Sequence, residues 1–291
     1  MSQGNRLLAA AFLAPSLVLL LVFVVAPVVW AVGLSLTNLA LVGPNAADPK
    51  WVGLANFQRL LDDADFFASF GRSIVFVFFS GIAGQFVLGL FSALMLARPG
   101  LRGKGVFGAA LLLPLVVPDT VAALAWASML EPGELGTLNR VIAIAGIEPL
   151  SWLQQFPMQS IIGINVWRGM AFAMVLFAAA LEGIPRDVQE AARVDGASGA
   201  QEFWYITLPL IRYVILFYLL LTTINTFGVF TLVYFLTRGG PGSATTLLTV
   251  YIYDKGFKFF ELGLGSAASV IMLGVILFIG MFYVRALRAQ V

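Results

Sequence analysis

Two charged side chains stand inside long apolar stretches of this sequence: Asp119, directly after Pro118, and Arg168, between Trp167 and Gly169. An Arg at the centre of a membrane-spanning helix costs about 2.5–3.5 kcal/mol on insertion scales, so Arg168 must face a wet cavity or a partner. Asp119 is the opposite charge available to it. Two readings stay open here: a structural ion pair, or a polar lining for a solute. Asn165, Phe172, Asn225 and Thr226 add amide, aromatic and hydroxyl surface of the kind that suits a polyhydroxylated ligand. Catalysis has little to work with. The chain has no His and no Cys, which removes the commonest general base, thiolate chemistry, Ser-His hydrolysis and most zinc patterns. No Gly-x-Ser-x-Gly is present, and the remaining acids fall in loops. No catalytic residue is expected.

The elements that hold these groups are set by composition. Of 291 residues, 60% are apolar and 11% charged, with a mean hydropathy of +0.95. A soluble domain is roughly a quarter charged, so this chain belongs in a bilayer. Stretches long enough to span fall at about 7–36, 73–97, 106–130, 159–181, 210–236 and 263–284. The expected class is all-α: a polytopic membrane protein of six transmembrane helices, one domain over residues 1–291. Pro114 and Pro118 are expected to kink the third span, and the small-residue run Gly263–Ser269 to let helices approach closely. The link from Arg98 to Lys104 carries three cations and no acid; Arg285 and Arg288 follow the last span, and Arg6 precedes the first. By the retention of Lys and Arg on the inner side, both termini are expected in the cytoplasm. The formal charge of +2 is small and scattered, so nucleic acid is not an expected partner. Asp62, Asp63 and Asp65 read as a solvated face. Their spacing matches no calcium loop, and no metal site is expected.

The segment 182–208 is too charged to insert, with Arg186, Asp187, Glu190, Arg193, Asp195 and Glu202. Pro185 opens a helix and Gly196 closes it, where a positive φ is expected. Ser198 and Gln201 read as a capping box that starts a second short helix, and Pro209 marks a helix boundary. A bare connector needs only a few residues, so this length with regular capping reads as a docking element. Its small Ala191 and Ala192 would let a partner backbone come close.

These residues also carry a family resemblance. Glu190-Ala191-Ala192, three residues, Gly196, nine residues, Ile206, one residue, then Leu208-Pro209 resembles the Glu-Ala-Ala loop of ABC importer permeases. Val52-Gly53-Leu54 with Asn56-Phe57, Asp195-Gly196-Ala197, and Gly239-Gly240-Pro241 followed by Thr245-Thr246-Leu247 and Tyr251-Ile252-Tyr253 resemble the maltose and glycerol-3-phosphate type. The resemblance implies the type I ABC importer permease fold. It also implies a second permease subunit, two ATPase subunits below that bind ATP and Mg, and an extracytoplasmic sugar-binding protein above, all in a bacterial or archaeal plasma membrane. This chain would hold no cofactor itself: the nearest Gly-Lys pair, Gly103-Lys104, has Arg98 in place of the first phosphate-loop Gly and Gly105 in place of Ser or Thr. The resemblance assigns ATPase coupling to Glu190, Ala191, Ala192, Asp195 and Gly196. It assigns substrate contact to Arg168, Gly169, Phe172, Asn225, Thr226 and Val229, with Asp119 beside them as the charge partner of Arg168. The family often has Pro two residues after the Gly of the fourth span, where Ala171 stands here. Two rivals are weighed. An ion-coupled secondary transporter of a small polar solute would bring its own midplane ion site and often inverted repeats, and no repeat is evident. A membrane enzyme would need a Ser-Lys or paired-carboxylate site, which is not evident either.

Overall fold

The computed structural model describes residues 3–98 and 100–288, with the backbone alone for residues 3–10 and Arg193. Arg6 and Pro99, both in the expected inner-side charge pattern, therefore fall outside the described side chains and residues. The regular structure described is helical, apart from one isolated antiparallel bridge between Thr37 and Trp51. Four helices are long and apolar enough to cross a membrane, or six if each of two bent pairs counts as one crossing.

In chain order, α1 covers 3–35, with a π turn at Leu21–Val25. Helix α2 is Ala55–Leu61, and α3 is Ala64–Ala97 with a π stretch at Val77–Gln85. Helices α4 (Lys104–Val116) and α5 (Asp119–Met129) follow, then α6 (Thr137–Ile144) and α7 (Pro157–Glu182). Beyond them lie α8 (Arg186–Val194), α9 (Gly199–Leu210), α10 (Arg212–Phe227), α11 (Thr231–Thr237), α12 (Leu248–Tyr253) and α13 (Leu262–Arg288).

Two of the expected spans are broken. The stretch 106–130 is two helices, α4 and α5, meeting at 107°. Pro118 has no N–H and pushes the residue before it out of the helical region. Val117 is accordingly extended at φ −74 and ψ 125, as is Pro118 at φ −60 and ψ 146. The stretch 210–236 is also interrupted. Helix α9 runs through Pro209, with the missing donor accommodated by a π turn at Phe203–Thr207. The boundary expected at Pro209 falls instead at Ile211, where the axis bends by 68° into α10. Helix α10 then ends at Gly228, before the separate α11. Arg212, a charge that also lies in this stretch, is exposed at the start of α10, with its guanidinium 5.0 Å from the Tyr213 ring centre. Helix α7, by contrast, passes through Ala171 unbroken.

The chain divides into two compact units, Met1–Phe67 with Tyr251–Val275, and Ala68–Val250 with Ile276–Val291. In the second, α7 lies along α3 at very short range. A Cβ at Gly89 would collide with Ala173, and one at Gly169 with the Gln85 amide. Helices in lipid gain no hydrophobic driving force against one another, so small residues that bring backbones together supply the packing instead. Around this seam Phe177, Tyr218 and Ile211 are buried with Leu90 and Met174. A second cluster joins α5 to α11 through Ala123, Leu232 and Val233, against Phe76 and Ile161.

The first unit is tied by polar bonds. Asn56 donates to the carbonyls of Ser35 (2.8 Å) and Thr37 (2.7 Å), and the Gly263 amide to Leu39 (2.9 Å). The run 263–268 is buried as its small residues suggest, with Gly265 against Gly256. Asp63 corrects the reading of its acidic cluster as a solvated face. Its Oδ1 accepts from the amides of Asp65 (2.8 Å) and Phe66 (3.3 Å), which caps α3. Its Oδ2 takes the Tyr251 hydroxyl at 2.7 Å and Lys255 Nζ at 3.0 Å. Burial pushes the Asp63 carboxyl up, but the Tyr251, Lys255 and Asp65 donors outweigh it and hold it below its ordinary value. Burial first, then Asp63, raises the Tyr251 phenol. Among the described residues no cluster of metal-ligating side chains occurs.

Candidate functional site

The break at Val117–Pro118 is what builds the polar site. It takes Val117 and Pro118 out of both helices and starts α5 at Asp119. A carboxylate in the first turn of a helix interacts favourably with the helix dipole. From α7, Arg168 reaches this corner. Its Nε pairs with Asp119 Oδ1, and its Nη1 donates to the Val117 carbonyl at 2.7 Å. The Arg168 side chain is 28% exposed and that of Asp119 46%, so the pair lies in an open cleft and not in the packed core.

That cleft, of about 450 Å³, is lined by Asp119, Arg168, Gly169, Phe172, Asn225, Thr226 and Val229 together. The structure thus gathers in one place all seven residues singled out as a substrate pathway. Asn165 lines it as well; Asn225 and Thr226 come from the last turn of α10, and Val229 from just beyond its end. Asn225 is exposed and Thr226 buried.

The cleft is also lined by a group that sequence reasoning missed. Gln85, at the last residue of the π stretch, is 5% exposed. Its Nε2 donates to the Asn165 carbonyl at 3.0 Å, and its Oε1 accepts from Thr222 at 2.9 Å. Asn165 in turn donates to Ser80 at 2.8 Å, and Ser80 to the Phe76 carbonyl at 2.6 Å. Three helices, α3, α7 and α10, are therefore pinned by one amide. A lone Gln inside the apolar run 73–97 was a legible signal of the same kind as Arg168. Its partners were not legible, because they come from residues some 80 and 137 positions away.

The second group of named residues lies on α8. Glu190, Ala191, Asp195 and Gly196 are exposed there. Gly196 has the expected positive φ, at 79°, and the Ala197 amide closes the helix on the Ala192 carbonyl at 3.0 Å. The Ser198–Gln201 capping box is present. Ala192 departs from the expectation of a paired small surface. It is 7% exposed and turned into its own chain, since successive residues on a helix point about 100° apart and cannot share a face. Val194, Trp204 and Tyr205 are 86%, 62% and 78% exposed beside it. Asp195, Gly196 and Tyr205 border a shallow hollow of about 300 Å³.

The chain belongs to the family of binding-protein-dependent transport system inner membrane components, whose signature matches residues 85–291. It is 34% identical over 277 residues to the trehalose/maltose transport system permease protein MalF of Thermococcus litoralis, covering 94% of this chain and 91% of that protein. Its fold is similar to a chain of a bacterial alginate ABC transporter solved with an alginate pentasaccharide-bound periplasmic protein, with TM-score 0.78, 23% identity, and 96% and 93% of the two chains covered. A bacterial ABC transporter that imports the acidic polysaccharide alginate gives TM-score 0.75 at 24% identity, covering 98% and 96%.

Proposed function

We propose that this chain is one of two permease subunits of an ATP-driven importer. With the second permease it forms the pathway for a sugar (oligosaccharide, disaccharide or polyol) delivered by an extracytoplasmic binding protein. The cleft carries this reading: an ion pair, amides, hydroxyls and the Phe172 ring converge between the helices of a strongly apolar chain. A relative named for trehalose/maltose transport supports a saccharide as cargo. The subunit is non-catalytic. Two partner ATPase subunits bind ATP and Mg, and Glu190, Ala191, Ala192, Asp195 and Gly196 of the α8 corner transmit their closure. Coupling between such sites is worth about 1–3 kcal/mol, within reach of one docked helix. The cations at Arg98, Arg102 and Lys104 and at Arg285 and Arg288 support a chain with both termini in the cytoplasm.

Reconstitution tests this directly. The assembled complex in liposomes should take up sugar only with ATP inside and a loaded binding protein outside. Uptake by the lone chain, driven by an ion gradient, would overturn the reading.

A further inference from the structure

We propose that the Asp119–Arg168 pair makes the cleft accept uncharged polyhydroxylated solutes and refuse anionic ones, with Asp119 as the specificity-determining residue. The inference rests on the cleft being the sugar pathway. Among the described residues that line it, Arg168 is the one cation and Asp119 the one anion, so the lining has no net charge. The cation is already committed, through Nε to Asp119 and through Nη1 to the Val117 carbonyl. That carbonyl is backbone, held in place by Pro118, so the guanidinium cannot follow a ligand without breaking both bonds.

A carboxylate, sulfonate or phosphate entering the cleft finds only Arg168 as a countercharge among the described lining residues, and must share it with Asp119. Two like charges about 6 Å apart, at an effective dielectric near 20, repel enough to weaken binding about a hundredfold. A sugar hydroxyl meets no such conflict. It can accept from Nη2 and donate to the Asp119 carboxylate, so the ion pair offers donor and acceptor side by side. The Phe172 ring, 38% exposed, supplies an apolar face for the carbon skeleton, and Asn225 is the neighbouring amide.

Saturation-transfer NMR on the assembled importer in nanodiscs, without binding protein, tests the cleft itself. The probes are maltose and trehalose against sn-glycerol 3-phosphate and a glucuronate disaccharide. The neutral sugars are expected to show transfer that is lost in Asn225→Leu, and the anionic probes to bind at least about tenfold more weakly. Asp119→Asn should raise binding of the anionic probes about tenfold or more while changing the neutral ones little. Anionic probes that bind the wild-type cleft as tightly as neutral ones would overturn the inference and leave the importer reading standing. This comparison needs no variant, so misfolding of Asp119→Asn does not blunt it. A folded Asp119→Asn complex that still refuses anions would also overturn it. No transfer from any of the sugars would remove the pathway reading, and this inference with it.

Discussion

In the cleft, Gln85 and Asn165 direct their amides at neighbouring helices, whereas on the 182–208 loop Glu190, Asp195 and Gln201 lie in solvent. The cleft's polar groups are held by long-range bonds through three helices. The loop's polar groups are organised by bonds across three or four residues: the Ser198–Gln201 box at 2.8 and 3.3 Å and the Asp195 amide on the Ala191 carbonyl at 2.9 Å. Substitutions of the cleft groups held by these bonds should therefore cost folding and transport together. Substitutions on the loop should spare assembly of the membrane part and cost only coupling.

The largest effect is expected at Gly169, where any side chain runs into the Gln85 amide. Gly169→Leu should destabilise the complex by roughly 2–6 kcal/mol, the sum of overpacking and of stranded amide partners. Thermal unfolding in detergent and the yield of monodisperse complex measure it. A near-normal melting temperature would mean that the α3–α7 seam is slack.

Next comes Gly196→Val. A branched residue at φ 79° costs about 1–3 kcal/mol. The spans are untouched, so insertion and pairing with the second permease should persist while the ATPase dissociates or loses stimulation by the loaded binding protein. Unchanged ATPase retention and stimulation, here and in Glu190→Lys, would reduce the loop to a connector and erase the contrast.

Gln85→Leu and Asn225→Leu divide the cleft itself. The first leaves the Thr222 hydroxyl and the Asn165 carbonyl without their partner, at about 1–3 kcal/mol, visible in both stability and transport. The second removes an exposed amide, and should lower transport roughly five- to 150-fold with stability intact. Equal melting losses in the two would show that Asn225 is structural.

The smallest effect lies in the other unit. Tyr251→Phe deletes the 2.7 Å bond to Asp63, worth about 1 kcal/mol. The Tyr251 phenol is raised above its ordinary value of 10.0. Its contribution is therefore complete below about pH 10 and lost as pH rises beyond it. The wild-type advantage over Tyr251→Phe in thermal unfolding should thus hold from pH 7 to 9 and shrink above 10. A constant difference through pH 11 would contradict it. Asp63, held low, acts in the opposite direction, and its contribution disappears only as pH falls below the ordinary carboxylate value of 3.8.

The same contrast explains what could be read in advance. Pro185, Gly196, Ser198 and Gln201 signal structure through neighbours a few positions away, and the loop's helices and its positive φ followed from them. Arg168, Asp119 and the cleft amides announced themselves as costly residues in apolar runs. Their common location could be stated only by resemblance, since nothing in the chain's periodicity says which helices touch. Gln85 carried the same signal. Its seat on Gly169 depends on a backbone approach that has no local mark. Pro118 was read as a kink, but its effect was larger, because the extended geometry it imposes on Val117 ends one helix outright.

That elbow has a consequence for helical phase. In an unbroken helix, deleting one residue turns everything beyond it by about 100°. At Val117–Pro118 the phase is reset by two extended residues. A single-residue deletion within 106–112 should therefore rotate the face of α4 while leaving Asp119 aimed at Arg168. The same deletion at Thr120 would swing the far end of α5, with Ala123, away from α11.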